Sequence, residues 1–239
     1  MSRFHRAPHQ IFRYGRALRL LRELGPRASV LEVGSGVEGV GTWWPHRFVG
    51  VDLDFAERRA PGLRPIRADA TRLPFPDGTF DAVLCIAVLP WLRGSRREAL
   101  GEAVRVSRRA ILVVNPCGEE ARDSDRRNIE WCSRHGIDPP GWLVAQVEQG
   151  LPRPKDIRAA LDGHGRVSEG MTVSVPAHDR LFRREQRLRR VPGAMTGLQP
   201  LIRAWGKWRR PGPAGPGSPY ERWFLLDKSA TASPPRRRS

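Results

Sequence analysis

The chain has 239 residues, 39% apolar and 28% charged, with a formal net charge of +17. That length suits one α/β domain with a sizeable core, and no stretch approaches the apolar length of a membrane span. The charge invites a nucleic-acid partner. Lysine, however, occurs only at Lys155, Lys207 and Lys228 among 42 basic residues, so the surplus reads as an arginine-rich composition spread over the chain. Residues Met1 to Gln10 lack an apolar signal core, so a cytoplasmic protein is expected. Cys85, Cys117 and Cys132 have no metal-ligand spacing and read as reduced thiols.

Ile11, Tyr14, Leu18 and Leu21 share one face of a helix over residues 10–24, which Gly25-Pro26 stops. Strand one covers Ser29–Val33 and breaks into the turn Gly34-Ser-Gly-Val-Glu-Gly-Val-Gly41. Strands two, three and four cover Phe48–Asp52, Leu63–Arg67 and Ala82–Ile86. A helix over Arg96–Ser107 leads to strand five, Ala110–Asn115, which Pro116 ends. Strands alternating with helices predict a doubly wound, mostly parallel sheet. Beyond Pro116 come an insertion over 117–154, a helix over Lys155–Leu161 and strand six over Val167–Val175. A basic insertion over 177–219, helical in its first part, precedes a last strand, Tyr220–Lys228. Residues 229–239 read as a disordered tail. The organisation expected is one domain over 1–228, with a cofactor-binding half at 28–116 and two insertions.

The glycine turn carries the first chemical signal. Gly34, Gly36 and Gly39 satisfy the dinucleotide fingerprint, whose glycines allow a sharp turn and close ligand approach. Glu32 decides between cofactors. A carboxylate beside this turn repels the pyrophosphate of NAD, which argues against a dehydrogenase, and favours a ligand with positive charge there. S-adenosylmethionine carries a sulfonium and an ammonium. Asp52 ends an apolar strand 18 residues after Gly34, where an acid accepts from ribose hydroxyls.

The turn, Asp52 and the block Asp69-Ala-Thr-Arg-Leu-Pro-Phe-Pro-Asp-Gly-Thr-Phe-Asp81 together resemble the class I S-adenosylmethionine-dependent methyltransferases. The small-molecule, biosynthetic branch is the nearest, over about residues 28–116. The resemblance implies a Rossmann-like sheet whose last strand inserts antiparallel between strands five and six. It implies that Glu32 and Gly34-Ser35-Gly36 hold the methionine portion and that Asp52 holds the ribose. Leu53 would pack on the adenine, Asp69 would accept from its amine, and the Ala70 amide would meet a ring nitrogen. Cys85 and Ile86 would end strand four beside the methyl-transfer site, and Asp81 would support the preceding loop.

Direct displacement at the methyl carbon needs positioning more than covalent chemistry. A hydroxyl acceptor also needs a general base. The segment Ala87-Val-Leu-Pro-Trp-Leu92 departs from the family by offering none. His135, within Trp131-Cys-Ser-Arg-His-Gly136, is the first candidate. Residues 117–154 read as a mobile lid over an acceptor pocket, with Trp131 and Trp142 available to stack on it. The acceptor expected is an O or N atom, less readily a C atom, of a small molecule or glycan. The alternatives are an RNA methyltransferase and a non-catalytic cofactor-binding scaffold. Six arginines between Arg180 and Arg190, then Leu198, Leu201, Ile202, Trp205 and Trp208 at helical spacing, suggest an anionic membrane surface or polyanion against residues 180–210. No obligate protein partner is marked.

Overall fold

The computed structural model describes residues 9–56, 59–194, 197–198 and 215–229. Helix α1 covers His9–Leu24, β1 Val30–Val33, β2 Phe48–Asp52, β3 Leu63–Arg67 and β4 Phe80–Ile86. Then follow α2 Arg96–Val106, β5 Ser107–Pro116, α3 Glu119–Arg134, α4 Gly141–Gln149 and α5 Pro154–Leu161. Strand β6 is Arg166–Ser174, α6 is Val175–Arg189 and β7 is Pro219–Asp227. The strands form one sheet in the order β3-β2-β1-β4-β5-β7-β6. β3, β2, β1, β4 and β5 pair parallel, and β7 runs antiparallel to both β5 and β6. This is the α/β, Rossmann-like architecture expected, with its antiparallel last strand.

Burial on both faces explains the continuous apolar runs of the central strands: all four residues of β1 and all seven of β4 are buried. The pleat sends alternate residues to opposite faces. Leu31, Val33, Val83, Cys85, Ile111 and Val113 meet α2 and α5 on one side. Val30, Ala82, Leu84, Ile86, Leu112 and Val114 meet α1 on the other, through Ala17, Leu18 and Leu21. Glu32 belongs to this second face by the same alternation.

The connection from β1 to β2 departs from strand–helix alternation. It contains only a 3-10 turn, Gly39–Thr42. Gly36, Gly39, Gly41 and Pro45 make this stretch a poor helix former. Buried Val40 and Trp44 fill the space against α1, Val30 and Phe48 instead.

Residues 117–154, expected as a mobile lid, hold two regular helices. Glu119 and Glu120 sit in the first turn of α3, where the helix dipole favours acids. Ser124, Asp125 and Asn128 on α3 are fully buried. Asp125 accepts from the Tyr220 hydroxyl of β7 at 2.9 Å and from the Gln146 amide of α4 at 2.6 Å. The same amide lies 3.2 Å from Tyr220 Oη, and the His178 ring stacks on Tyr220 at 3.4 Å between centroids. One buried carboxyl thus joins both cap helices to the sheet. In the basic insertion, α6 is described, but Leu201, Ile202, Trp205 and Trp208 lie outside the described residues, as does 230–239 of the expected tail.

Burial pushes the Asp125 carboxyl up to about 7 from 3.8, against the pull of its two hydrogen bonds. The folded protein therefore holds a proton there that the unfolded chain has lost between about pH 4 and pH 7, so stability contributed at this site falls as pH rises through that window. Asp125→Asn should flatten that decline in denaturant unfolding curves. Tyr220→Phe, which strips a donor from a buried acceptor, should lower stability by about 1–3 kcal/mol at neutral pH.

Candidate active site

The site forms where β1, β2, β3 and β4 end. Glu32 is fully buried. One carboxylate oxygen accepts from the Tyr14 hydroxyl of α1 at 2.8 Å and the other from the Val40 amide at 2.6 Å. Burial pushes its carboxyl up to about 7, while those two hydrogen bonds pull the other way. Gly39 fits only as glycine, because a Cβ there would lie 2.3 Å from Glu32 Oε2. The carboxylate is thus enclosed behind the turn, with one donor already on each oxygen, where sequence suggests a meeting with an ammonium either directly or through water.

Next, the chain bends over β2. The Gly34 and Ser35 amides both donate to the Val51 carbonyl, at 2.7 and 3.3 Å. The Gly36 amide donates to Asp52 Oδ2 at 2.8 Å, and Asp52 Oδ1 takes the Leu53 amide at 2.8 Å. Ser35 Oγ donates to the Gly36 carbonyl at 3.0 Å. Gly36 has φ +53°, and nothing lies within 4 Å of where its Cβ would be. Leu53 is 74% exposed. An acid, an open backbone and an uncovered apolar side chain are therefore adjacent at the end of β2. That set fits a ribose with an adenine beside it.

Asp69 follows β3. Its Oδ1 takes the Thr71 amide at 2.8 Å and the Thr71 hydroxyl at 2.9 Å, which holds its carboxyl below the usual range. It is exposed, and Ala70 behind it is buried. The Ala68 amide donates to the Asp52 carbonyl at 3.2 Å, which ties the end of β3 to the end of β2.

Cys85 and Ile86 end β4 as expected, but both side chains are buried in the core, on opposite faces of the sheet. Burial pushes the Cys85 thiol up to about 12. Only main-chain atoms of this pair remain available to a ligand. The following residue, Ala87, has φ +55°, a conformation costly for any side chain. Its amide donates to the Val114 carbonyl at 2.7 Å. Buried Asn115 accepts the Leu89 amide at 3.1 Å and donates to the Cys85 carbonyl at 3.3 Å. The bend after β4 is thereby fixed. Asp81 is structural, but it ties β4 to its neighbours instead of holding the loop before it: it takes the Ser29 amide and hydroxyl at 2.9 Å and Arg108 of β5 at 2.6 Å.

His135 does not join these groups. It caps the carboxyl end of α3, a helix of 16 residues whose other end adjoins β5. Its Nδ1 lies 2.8 Å from the Trp131 carbonyl and its ring stacks on Trp131 at 4.3 Å. Sequence reasoning also missed two links from α1 and β7. Tyr14 had been read only as part of an apolar face. Arg13 beside it donates to Glu221 at 2.6 Å, and Glu221 also takes the Thr172 hydroxyl at 2.7 Å. Neither Arg13 nor Glu221 lies in a motif, and only the fold reveals the pair. The arginines of α6 are largely engaged within the protein. Arg183 and Arg187 lie over the Trp131 ring at 5.8 and 5.3 Å, Arg189 pairs with Glu185 at 2.6 Å, and Arg190 donates to the His135 carbonyl at 3.0 Å.

Residues 31–113 match the methyltransferase domain family. No curated protein sequence matches the chain significantly. Among solved structures, the fold is similar to a possible histamine N-methyltransferase from Thermotoga maritima, at 15% identity and TM-score 0.52 over 92% of this chain and 91% of that one. It is similar to geranyl diphosphate C-methyltransferase from Streptomyces coelicolor, at 17% identity and TM-score 0.52 over 89% and 77%. A putative methyltransferase from an antibiotic biosynthesis pathway of Anabaena variabilis aligns at 12% identity and TM-score 0.55 over 92% and 99%. The methyltransferase domain match thus falls on the cofactor-side half of the sheet, and the sheet built around it has the fold of these methyltransferase structures.

Proposed function

We propose that the ends of β1, β2, β3 and β4 hold S-adenosylmethionine and that the helical cap of α3 and α4 selects a small-molecule acceptor for methylation at O, N or C. The observation that carries this reading is the Asp52–Gly36 pair with Leu53 exposed beside it. Asp52 would bind the ribose hydroxyls, Leu53 one face of the adenine, and Asp69 with the Ala70 amide its polar edge. The turn Gly34-Ser35-Gly36, its amides held by the Val51 carbonyl and Asp52, would present its carbonyls to the methionine portion, with Glu32 acting on its ammonium through the turn. The cofactor, when bound, supplies an electrophilic methyl group.

A small acceptor accords with the use of arginine. Arg183, Arg187, Arg189 and Arg190 are occupied inside the molecule, which leaves fewer of them for RNA or a membrane. The turn also disfavours NAD on a second ground. A dinucleotide pyrophosphate uses a helix N-terminus, and here the turn leads into a 3-10 segment of four residues.

Calorimetry with S-adenosylhomocysteine and with NAD tests the site. The first should bind and the second should not. Asp52→Ala should weaken S-adenosylhomocysteine by about 1.5–3 kcal/mol, roughly ten- to a hundredfold. Unchanged affinity in that variant would remove Asp52 from the site. The Glu32 carboxyl gives a pH signature. A cationic ammonium favours the ionised carboxylate, so binding should tighten as pH rises through about 7. Glu32→Gln should lose that dependence.

A further inference from the structure

Two cavities on the α2 side of the sheet differ in what their cations are doing. The larger, about 570 Å³, lies at the amino-terminal ends of β4 and β5. Its arginine and lysine donors are consumed: Arg105 by Glu102 and Asp77, Arg108 by Asp81, and Lys228 by the Val104 and Ser107 carbonyls. The second, about 380 Å³, opens between the first turns of α2 and α5, at the opposite end of the sheet.

This second cleft reaches the core. Leu100 and Ile157, 2% and 1% exposed, belong to the main hydrophobic cluster and line it. Ala159 and Ala160 leave open the space that longer side chains would fill. The cations beside this apolar floor are Arg96 and Arg97. Arg96 donates from Nε to the Leu89 carbonyl at 2.8 Å and from Nη2 to the Gly150 carbonyl, both neutral acceptors. Arg97 is exposed, with no partner among the described residues. The acid on the rim, Asp156, is committed to Arg153 at 2.6 Å. Burial and the neighbouring Arg93 push the Arg96 pKa down, while Asp156 pulls the other way without offsetting them.

We propose that this cleft is a binding site for a small amphiphilic anion, an apolar body ending in a carboxylate or phosphate. The head would meet the two guanidiniums, which suit planar anionic groups. The body would lie on Leu100 and Ile157. The volume falls in the range of about 300–1,000 Å³ usual for small-molecule pockets, and the lining combines an apolar floor with few polar groups, as such pockets do. Nothing in this reading depends on the cofactor site.

Titration of the full chain with octanoate, octanol and acetate tests it. Octanoate should saturate, and octanol and acetate should each bind at least about tenfold more weakly, since each lacks one half of the match. Arg97→Glu and, separately, Ala159→Phe should weaken octanoate by about tenfold or more and leave S-adenosylhomocysteine affinity unchanged. Both positions are exposed, so neither substitution disturbs the core. Octyl phosphate should compete with octanoate. Absence of saturable octanoate binding in the millimolar range, or binding indifferent to both substitutions, overturns the proposal. Protein that binds S-adenosylhomocysteine but not octanoate overturns the cleft alone; protein that binds octanoate but not S-adenosylhomocysteine supports the cleft and overturns the cofactor reading.

Discussion

A carboxylate inside a parallel sheet must find hydrogen-bond donors for both of its oxygens, and Glu32 organises one face of the protein by that demand. One donor is the Val40 amide, which reaches Glu32 only because the chain curls into a 3-10 turn across Gly39. The other is the Tyr14 hydroxyl, which commits α1 to lie over β1. The glycine turn, the missing first crossover helix and the seat of α1 are therefore one solution to a single electrostatic problem. Removing either donor would leave a buried acceptor unmatched, a cost of order 1–3 kcal/mol. A hydrophobic residue at 32 would lose the constraint on the turn altogether.

The cap rests on a second buried carboxyl with the same chemistry. Asp125 is met by Tyr220 and Gln146 as Glu32 is met by Tyr14 and Val40. Arg13, next to Tyr14, pairs with Glu221, next to Tyr220. The two sites are thus joined through consecutive residues on α1 and on β7. Hydrogen bonds of this kind are directional, so they specify where α3 and α4 sit more sharply than apolar packing alone would. These bonds tie α3 and α4 to β7 through buried polar groups.

Much of this was legible in the residues. β2 and β3 run over the residues read from the alternation of apolar runs and turn signals, and the ends of β1 and β4 were placed correctly. Period and breaker residues are local, and the central strands are buried on both faces, so local pattern and tertiary environment agree. Asp52 ends β2 and Asp69 follows β3 by two residues, so the strand ends read from the sequence bring both acids to the same end of the sheet. The 3-10 turn was not anticipated: the fingerprint of three glycines suggests a following helix, while the glycine and proline content of 36–45 opposes one. Asp125, Tyr220 and Glu221 left no trace, because their partners lie 95, 74 and 208 residues away in sequence. His135 is marked in the sequence by its chemistry alone; it sits at the C-cap of α3 and engages Trp131.

Arginine shows how composition misleads when read as charge. Around Trp131, Arg183 and Arg187 act as flat, stacking side chains, and Arg183 also donates to the Asn128 side chain at 3.1 Å. Arg190 donates to main-chain carbonyls at the end of α3, where cations are favoured. Lysine could replace few of these, since it lacks both the plane and the fork. A segment with six arginines in eleven residues thus spends three of them, Arg183, Arg187 and Arg190, holding α6 to α3. Arg96 is the instructive contrast. It uses the same fork to join the Leu89 and Gly150 carbonyls across the rim, but it does so beside an apolar cleft whose one carboxylate, Asp156, is paired with Arg153. Only where the guanidinium lacks an internal anion does arginine content become an argument about ligands.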